Sequence, residues 1–231
     1  MTTLMNALGY GDLPRLLGLM TGDEKHSSAA HSTLDVLWVL YDRILNISPA
    51  TVDDPARDRF LLSKGHGPMA YYAVLAAKGF VPEAALAGFG GFDSNLGYHP
   101  DRNLIAGVEI ASGSLGHGLP LAVGRALALD YRQQAGARVF VLVGDGELDE
   151  GTNHEAIAFS GRAGLERLTT VVIDNQSASH GWPGGIEARI AVEGWSTVVC
   201  DGRDHDEIER ALSLPHVGRP HVVVARVEVG S

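Results

Sequence analysis

The chain has 231 residues, 45% of them apolar, and a formal net charge of −10. That length and composition suit one α/β domain over residues 1–231, with enough apolar side chains for a full core. The acidic charge gives nucleic-acid binding little support, and no apolar stretch reaches membrane-spanning length. The single cysteine, Cys200, excludes an intrachain disulfide and a cysteine-based zinc cluster. No secretory signal is visible, so we expect a cytoplasmic protein.

The predicted elements begin with a leading helix and a loop in residues 1–25. A second helix is expected to start at Ser32, because Ser32-Thr-Leu-Asp35 has the form of a helix start and apolar residues then recur at helical spacing. Next come a loop, a short buried strand, a helix and a long surface loop, at residues 46–59, 60–62, 68–79 and 88–112.

The second half of the chain alternates strands with helices. A glycine-rich opening at residues 113–118 leads into a long helix that ends near Gln134. Four further strands are expected at residues 139–143, 170–173, 196–200 and 221–227. Two further helices are expected at residues 152–164 and 204–212. Because such alternation produces a parallel sheet covered on both faces, we predict an α/β three-layer sandwich with a mainly parallel sheet.

Two polar residues follow neighbouring predicted strands. Asp145 lies between Gly144 and Gly146, and Asn175 follows the next strand along the chain. Open parallel sheets bind ligands at the carboxyl ends of their strands. A carboxylate and a carboxamide there suit Mg²⁺, which fills its remaining positions with waters and substrate phosphates. The sequence therefore predicts a magnesium and diphosphate site.

The acidic stretch around Asp145 also has interpretations that need no such site. An EF-hand fails because Glu150 and Ala156 stand where that loop needs glycine and a bidentate glutamate. A solvated acidic turn is the plainer alternative, and Thr152-x-x-Glu155 has the form of a capping box. A functional alternative is that crowded carboxylates share protons at raised pKa. The carboxylates concerned are Glu147, Asp149, Glu150 and Glu155.

Two further glycine-rich turns open helices. Gly113-Ser-Leu-Gly116-His-Gly118 offers backbone N–H groups that can cradle phosphate oxygens, although ordinary tight turns also use glycines. It is not the dinucleotide fingerprint, whose glycine order differs. Ser63-Lys-Gly-His66-Gly67, taken alone, is explained by a capping turn with a surface histidine. Zinc is not expected, since no two histidines stand at i and i+4 around a catalytic glutamate.

Taken together, these segments resemble the amino-terminal, diphosphate-binding half of transketolase, and most closely the two-gene enzymes. The resemblance implies the thiamine diphosphate-binding fold. The matching blocks run in family order: His26–Trp38, Asp58–Gly67, Gly97–Asp101, Gly107–Glu109, Gly113–Gly118, Gly144–Glu155 and Asp174–Asn175.

The resemblance also implies roles for individual residues. Asp145, Asn175 and the backbone carbonyl of Ser177 would hold Mg²⁺ with the diphosphate of thiamine diphosphate. Further cofactor contacts would come from Gly113, Ser114, Leu115, Gly144, Gly146 and His66. His66 would also lie near the reacting centre. Catalytic roles at the sugar substrate would fall to His26 and His99. Glu150 and Glu155 match carboxylates that link two active sites across the dimer.

Three positions depart from the family pattern after Asn175. Gln176 stands where glycine is usual, and Ser177 and Ser179 stand where apolar residues are usual. The family's histidine-containing segment after the last strand would lie beyond Val229.

The chain also resembles only half of an enzyme. The family supplies a catalytic glutamate from a pyrimidine-binding domain, which we expect on a separate chain. The implied function is that of one subunit, inactive alone, of a heterotetrameric α2β2 transketolase that moves a two-carbon ketol unit from a ketose to an aldehyde. One alternative is a thiamine-dependent lyase or ligase acting on a 2-oxo acid. Another is a non-catalytic, cofactor-binding structural subunit.

Overall fold

The computed structural model describes residues 8–21, 27–134, 136–179 and 181–227. Within these ranges five strands form one sheet, and every neighbouring pair is parallel. The strands are β1 (Arg59–Leu62), β2 (Val139–Gly144), β3 (Leu168–Asp174), β4 (Ser196–Asp201) and β5 (His221–Arg226). Their order across the sheet is β1-β2-β3-β5-β4. The predicted parallel sheet is confirmed, with each predicted strand found within two residues of its expected ends.

Seven α-helices accompany the sheet in the described part of the chain. They are α1 (Leu13–Leu17), α2 (Ser27–Val39), α3 (Pro68–Ala77), α4 (Gly118–Tyr131), α5 (Gly151–Ala163), α6 (Ile186–Ala191) and α7 (His205–Leu212). A π-helical turn, Leu40–Ile44, extends α2. None of the helices in the described ranges is long and apolar enough to cross a membrane.

The side chains of the strands alternate between two apolar cores. In β2, Val139, Val141 and Val143 join a cluster with residues of α4, α5 and α6. Phe140 and Leu142 point the other way, into a cluster with residues of α1, α2, α3 and α7. All of β2 is buried, and each such Val or Leu contributes about 1.5–3 kcal/mol by leaving water. The sheet is therefore the middle of three layers, as the sequence predicts.

Some predicted elements are wrong in detail. Ser32 does not start a helix: α2 begins at Ser27, and Ser32 lies buried within it. The Ser32 hydroxyl accepts a hydrogen bond from Lys64 Nζ at 2.7 Å, so it serves a tertiary contact and not a cap. Of the predicted leading helix, the described residues 8–21 contain α1, preceded by a 3₁₀ turn at Tyr10–Asp12. Helix α6 lies where no helix was expected.

The segment at residues 88–112 is irregular, as expected, but it is only partly a surface loop. Leu96, Ile105 and Val108 are buried in the core that α2 and α3 share. Glu109 is also buried and forms ion pairs with Arg57 and, at 3.7 Å, with Arg125. These contacts fix the segment to the turn that precedes β1 and to α4. The segment therefore holds its own residues in defined positions beside the carboxyl edge of the sheet.

Candidate functional site

Asp145 and Asn175 reach the same edge of the sheet because β2 and β3 are parallel neighbours. Gly144 pairs with Ile173 at the end of the ladder, and the Asp145 backbone N–H continues the pairing by donating to the Ile173 carbonyl at 3.0 Å. Asn175 directly follows the last residue of β3. The turn after β1 reaches this edge too, since the Ser63 N–H donates to the Leu142 carbonyl at 2.9 Å. Both polar residues therefore follow neighbouring strands at the carboxyl edge of the sheet.

The carboxylate of Asp145 is 1% exposed and accepts four hydrogen bonds. Its Oδ1 accepts from the Gly146 N–H at 2.8 Å and from the Ser177 hydroxyl at 2.5 Å. Its Oδ2 accepts from the N–H groups of Ser177, at 2.7 Å, and Ala178, at 3.3 Å. A buried carboxylate is tolerated when it is hydrogen-bonded in this way. Asp145 thus fastens the turn after β3 to the end of β2.

The carboxamide oxygen of Asn175, in contrast, accepts no hydrogen bond. It is buried and has no hydrogen-bond partner, which costs about 1–3 kcal/mol for a polar group. Such an oxygen, at the end of the strand neighbouring that of the Asp145 carboxylate, is a ready ligand for a hard cation. No cluster of three His, Cys, Asp or Glu side chains suited to a metal occurs in the described ranges. The donor set that fits Mg²⁺ is one carboxylate, one carboxamide and backbone oxygen.

Gly146 and Gln176 shape the turn that carries these oxygens. A Cβ at position 146 would lie 3.3 Å from the Ser177 carbonyl oxygen, so glycine allows that carbonyl to approach the backbone of residue 146 closely. Gln176 has a φ of 58°, the left-handed region that favours glycine. A side chain there costs about 1–2 kcal/mol. The departure from the family's glycine is therefore a conformational cost within the turn.

Glu147 is a functional residue whose role sequence reasoning missed. It is 3% exposed and accepts hydrogen bonds from the Ser63 hydroxyl, the Gly116 N–H at 3.0 Å and the Gly144 N–H at 3.3 Å. Burial raises the pKa of its carboxyl group, and the three hydrogen bonds oppose that rise. We call Ser63, Gly116, Gly144 and Glu147 the Glu147 cluster. It ties two glycine-rich turns to the end of β2.

The turn at residues 113–118 is built around close approaches that only glycine permits. A Cβ at Gly118 would lie 2.1 Å from the Ser63 hydroxyl oxygen, and one at Gly116 would lie 2.6 Å from Glu150 Cβ. Gly116 also has a φ of 81°. Ser114 and Leu115, between the glycines, are exposed. The turn is thus held rigid at one end while its middle faces outward at the carboxyl edge.

His99 and His66 lie on this same open side. His99 Nδ1 lies 3.1 Å from the Gly65 carbonyl oxygen, and a Cβ at Gly113, whose φ is 116°, would meet the His99 ring at 3.0 Å. The imidazole therefore packs on the backbone of both glycine-rich turns. His66, in the turn after β1, is exposed. The structure brings His66 and His99 to one region, whereas His26 lies outside the described residues.

The remaining carboxylates do not form the crowded group that the sequence suggested. Glu150 and Glu155 are exposed, and only Glu147 of that stretch is deeply buried. The capping box at Thr152 is absent, because the N-cap of α5 is Glu150. The Thr152 hydroxyl donates instead to the Gly116 carbonyl at 2.7 Å. Thr152 therefore supports the glycine-rich turn, and Glu155 projects from the first turn and a half of α5.

Lys64 brings a cation close to this acidic edge. Its side chain packs near Gly144, within 3.7 Å of where a Cβ would stand, and Nζ donates to Ser32. Burial lowers the pKa of its ammonium group to about 8, against the charges of Asp145 and Glu147, which raise it. Sequence reasoning treated the turn containing Lys64 as a plain capping turn. The local signal was a lysine between a strand end and a glycine, which is weak alone.

The fold and site define a diphosphate-binding α/β domain, and comparisons with known proteins identify its family. A family model described as the transketolase thiamine diphosphate binding domain matches residues 19–231. A Rhodococcoides fascians protein named ferredoxin fas2 is 59% identical over 218 residues, which are 94% of this chain and 72% of that protein. One of the subunits of the apulose-4-phosphate transketolase of Actinobacillus succinogenes is 36% identical over 213 residues, covering 89% of this chain and 77% of that protein.

Solved structures show the same fold. The transketolase of Leishmania mexicana matches with a TM-score of 0.74 and 24% identity, covering 96% of this chain but 37% of that protein. The chain thus spans little more than a third of that solved transketolase. It belongs to the transketolase family, as the thiamine diphosphate-binding domain of these ketol-transferring enzymes.

Proposed function

We propose that this chain is the diphosphate-binding subunit of a two-chain transketolase-like enzyme. Asp145, Asn175 and the Ser177 carbonyl would hold Mg²⁺ together with the diphosphate of thiamine diphosphate. The observation that carries the proposal is the buried, unpartnered Asn175 carboxamide oxygen, which follows the strand neighbouring that of the buried Asp145 carboxylate. A cation shared with phosphate oxygens would satisfy that oxygen, since Mg²⁺ keeps few protein ligands.

The surrounding residues would bind and orient the cofactor. The exposed middle of the 113–118 turn, at Ser114 and Leu115, offers backbone groups to phosphate oxygens. The Glu147 cluster would keep that turn at a fixed distance from the metal. Lys64 would offset part of the negative charge of the acidic edge. When bound, thiamine diphosphate supplies the carbon nucleophile of ketol transfer.

The histidines and the exposed glutamates would serve substrate and assembly. We place His99 and His66 at the sugar substrate because they share the open side of the two glycine-rich turns. His26 has the same proposed role. Glu150 and Glu155 are exposed at the start of α5, a position in which they could meet a second active site. Their contact would be made only in the assembled enzyme.

The partner would be a separate pyrimidine-binding chain that supplies a catalytic glutamate. Support comes from the name of the Actinobacillus relative, which describes one subunit of its enzyme. We propose two copies of each chain, α2β2. The substrates would be a ketose donor and an aldehyde acceptor.

The single cysteine of this sequence cannot hold a four-cysteine iron–sulfur cluster, so the name of the Rhodococcoides relative does not describe the chemistry of this chain.

Two alternatives from the sequence remain testable beside ketol transfer. The Gln176, Ser177 and Ser179 departures change the turn that carries the metal oxygens, which leaves room for a 2-oxo acid lyase or ligase or for a non-catalytic cofactor-binding subunit. The discriminating experiment assays the chain with thiamine diphosphate and Mg²⁺, alone and with the candidate partner. The substrates are a panel of ketoses, aldehydes and 2-oxo acids.

Ketol transfer only by the reconstituted pair is the expected result. Substantial transfer by the lone chain would refute the two-chain hypothesis. Turnover of 2-oxo acids alone would favour the first alternative, and cofactor binding without any turnover would favour the second.

A further inference from the structure

The Ser177 hydroxyl completes the hydrogen bonding of Asp145. A carboxylate offers about four lone-pair positions, and here four donors fill them: the N–H groups of Gly146, Ser177 and Ala178, and the Ser177 hydroxyl. The protein therefore satisfies this carboxylate by itself. A cation that binds Asp145 must first displace one of the four donors.

Only one of those donors can leave without moving the backbone. The three N–H groups are fixed by the chain on either side of the site, and two of them belong to the turn that Gln176 enters in a left-handed conformation. The Ser177 hydroxyl lies 2.5 Å from Asp145 Oδ1 and can turn away by rotation about its own side-chain bond. Ser177 is also exposed, so its hydroxyl has water to turn toward.

We propose that the Ser177 hydroxyl is a positioning group that competes with Mg²⁺ for Asp145. It holds the turn after β3 on the carboxylate when the metal is absent, and it lowers the apparent affinity for the metal. This inference rests on the proposed function, because it concerns the same oxygen site. It goes further by assigning to a side chain, and not to the Ser177 carbonyl, control over how readily the cofactor complex forms.

The test is a calorimetric titration of Mg²⁺ into the assembled two-chain enzyme with excess thiamine diphosphate. Ser177→Ala removes the hydroxyl but keeps the carbonyl. This variant should bind Mg²⁺ about tenfold more tightly than the wild type, which corresponds to about 1.4 kcal/mol of binding free energy. Ser177→Thr keeps a hydroxyl and should bind like the wild type. Ser179→Ala is the matched control, because Ser179 contacts Asp149 through its backbone N–H at 3.1 Å. Free cofactor chelates Mg²⁺ equally in every titration, so the ratios are unaffected.

A second measurement uses stability instead of binding. Without metal, Ser177→Ala should melt at a lower temperature than the wild type, because the turn has lost one bond to Asp145. With saturating Mg²⁺ and thiamine diphosphate the difference should vanish.

Equal or weaker Mg²⁺ binding by Ser177→Ala, or the same gain in Ser179→Ala, would overturn the competition while leaving the proposed function in place. Failure of the wild type itself to bind Mg²⁺ with thiamine diphosphate would overturn both.

Discussion

Removal of the Glu147 carboxylate should strongly destabilise this domain. Its carboxylate collects the Ser63 hydroxyl and the N–H groups of Gly116 and Gly144 in a site that is 3% exposed. Glu147→Ala leaves all three donors without an acceptor, at about 1–3 kcal/mol for each buried donor. Water entering the cavity would recover part of this. We therefore expect a loss of about 3 kcal/mol or more in the free energy of unfolding.

Glu147→Gln should be milder. Its carbonyl can still accept from Ser63 and Gly116, but its amide group meets the Gly144 N–H donor to donor, so the loss should be about 1–2 kcal/mol. Urea denaturation measures both variants. Glu155→Ala is the control, because Glu155 is exposed and such changes stay within about 0.5 kcal/mol. If Glu147→Ala lost less than about 1 kcal/mol, the Glu147 cluster would not be what holds the two turns together.

The contribution of Glu147 to the free energy of unfolding should also depend on pH. Burial raises the pKa of Glu147 in the folded chain, so its contribution to stability is full below the unfolded pKa and is lost as pH rises through the folded one. The unfolding free energy of the wild type, minus that of Glu147→Gln, should therefore decline as pH is raised from about 4 to 8. A difference that grows with pH would contradict the assigned direction.

Two further predictions concern backbone strain and a buried histidine. Gln176→Gly and Gln133→Gly each relieve a left-handed conformation, so both should raise the melting temperature. Only Gln176→Gly should alter cofactor affinity. Equal effects of the two variants on affinity would show that the conformation of the turn at Gln176 does not influence the cofactor site. Burial lowers the pKa of His221, so the free energy of unfolding should fall as pH drops below about 6.5. His221→Gln should reduce this dependence on pH. An unchanged dependence would show that His221 is not its source.

The strands and most helices were predictable because local pattern and burial agree. In β2 the apolar run of Val139 to Val143 is buried on both faces, and nothing in the tertiary structure competes with it. The edge position of Asp145 and Asn175 followed from strand order alone. The start of α2 was not predictable in this way, because Ser32 has the chemistry of a cap but is used for a contact with Lys64 across the molecule.

The residues that support the candidate site were harder to foresee than the position of Asp145 and Asn175 at the edge of the sheet. Glu147 was one of four acidic residues in a short stretch, and only the fold shows that it is the buried one. Thr152 and Glu155 fit a capping box, yet Thr152 bonds to Gly116, which is 36 residues away. Gln176 was visible as a departure from glycine, whereas its left-handed φ had to be observed. Contacts between distant turns leave no local pattern.

Our central claim is that a metal ion held by Asp145 binds thiamine diphosphate to this chain. Calorimetric titration of the assembled enzyme with thiamine diphosphate at saturating Mg²⁺ tests the claim directly, comparing the wild type with Asp145→Ala. Asp149→Ala is the control of equal charge, because Asp149 lies at the same edge but bonds to the Ser179 N–H. We predict at least a tenfold loss of affinity for Asp145→Ala, or about 1.4 kcal/mol, and a much smaller change for Asp149→Ala. Unchanged affinity in Asp145→Ala would contradict the claim.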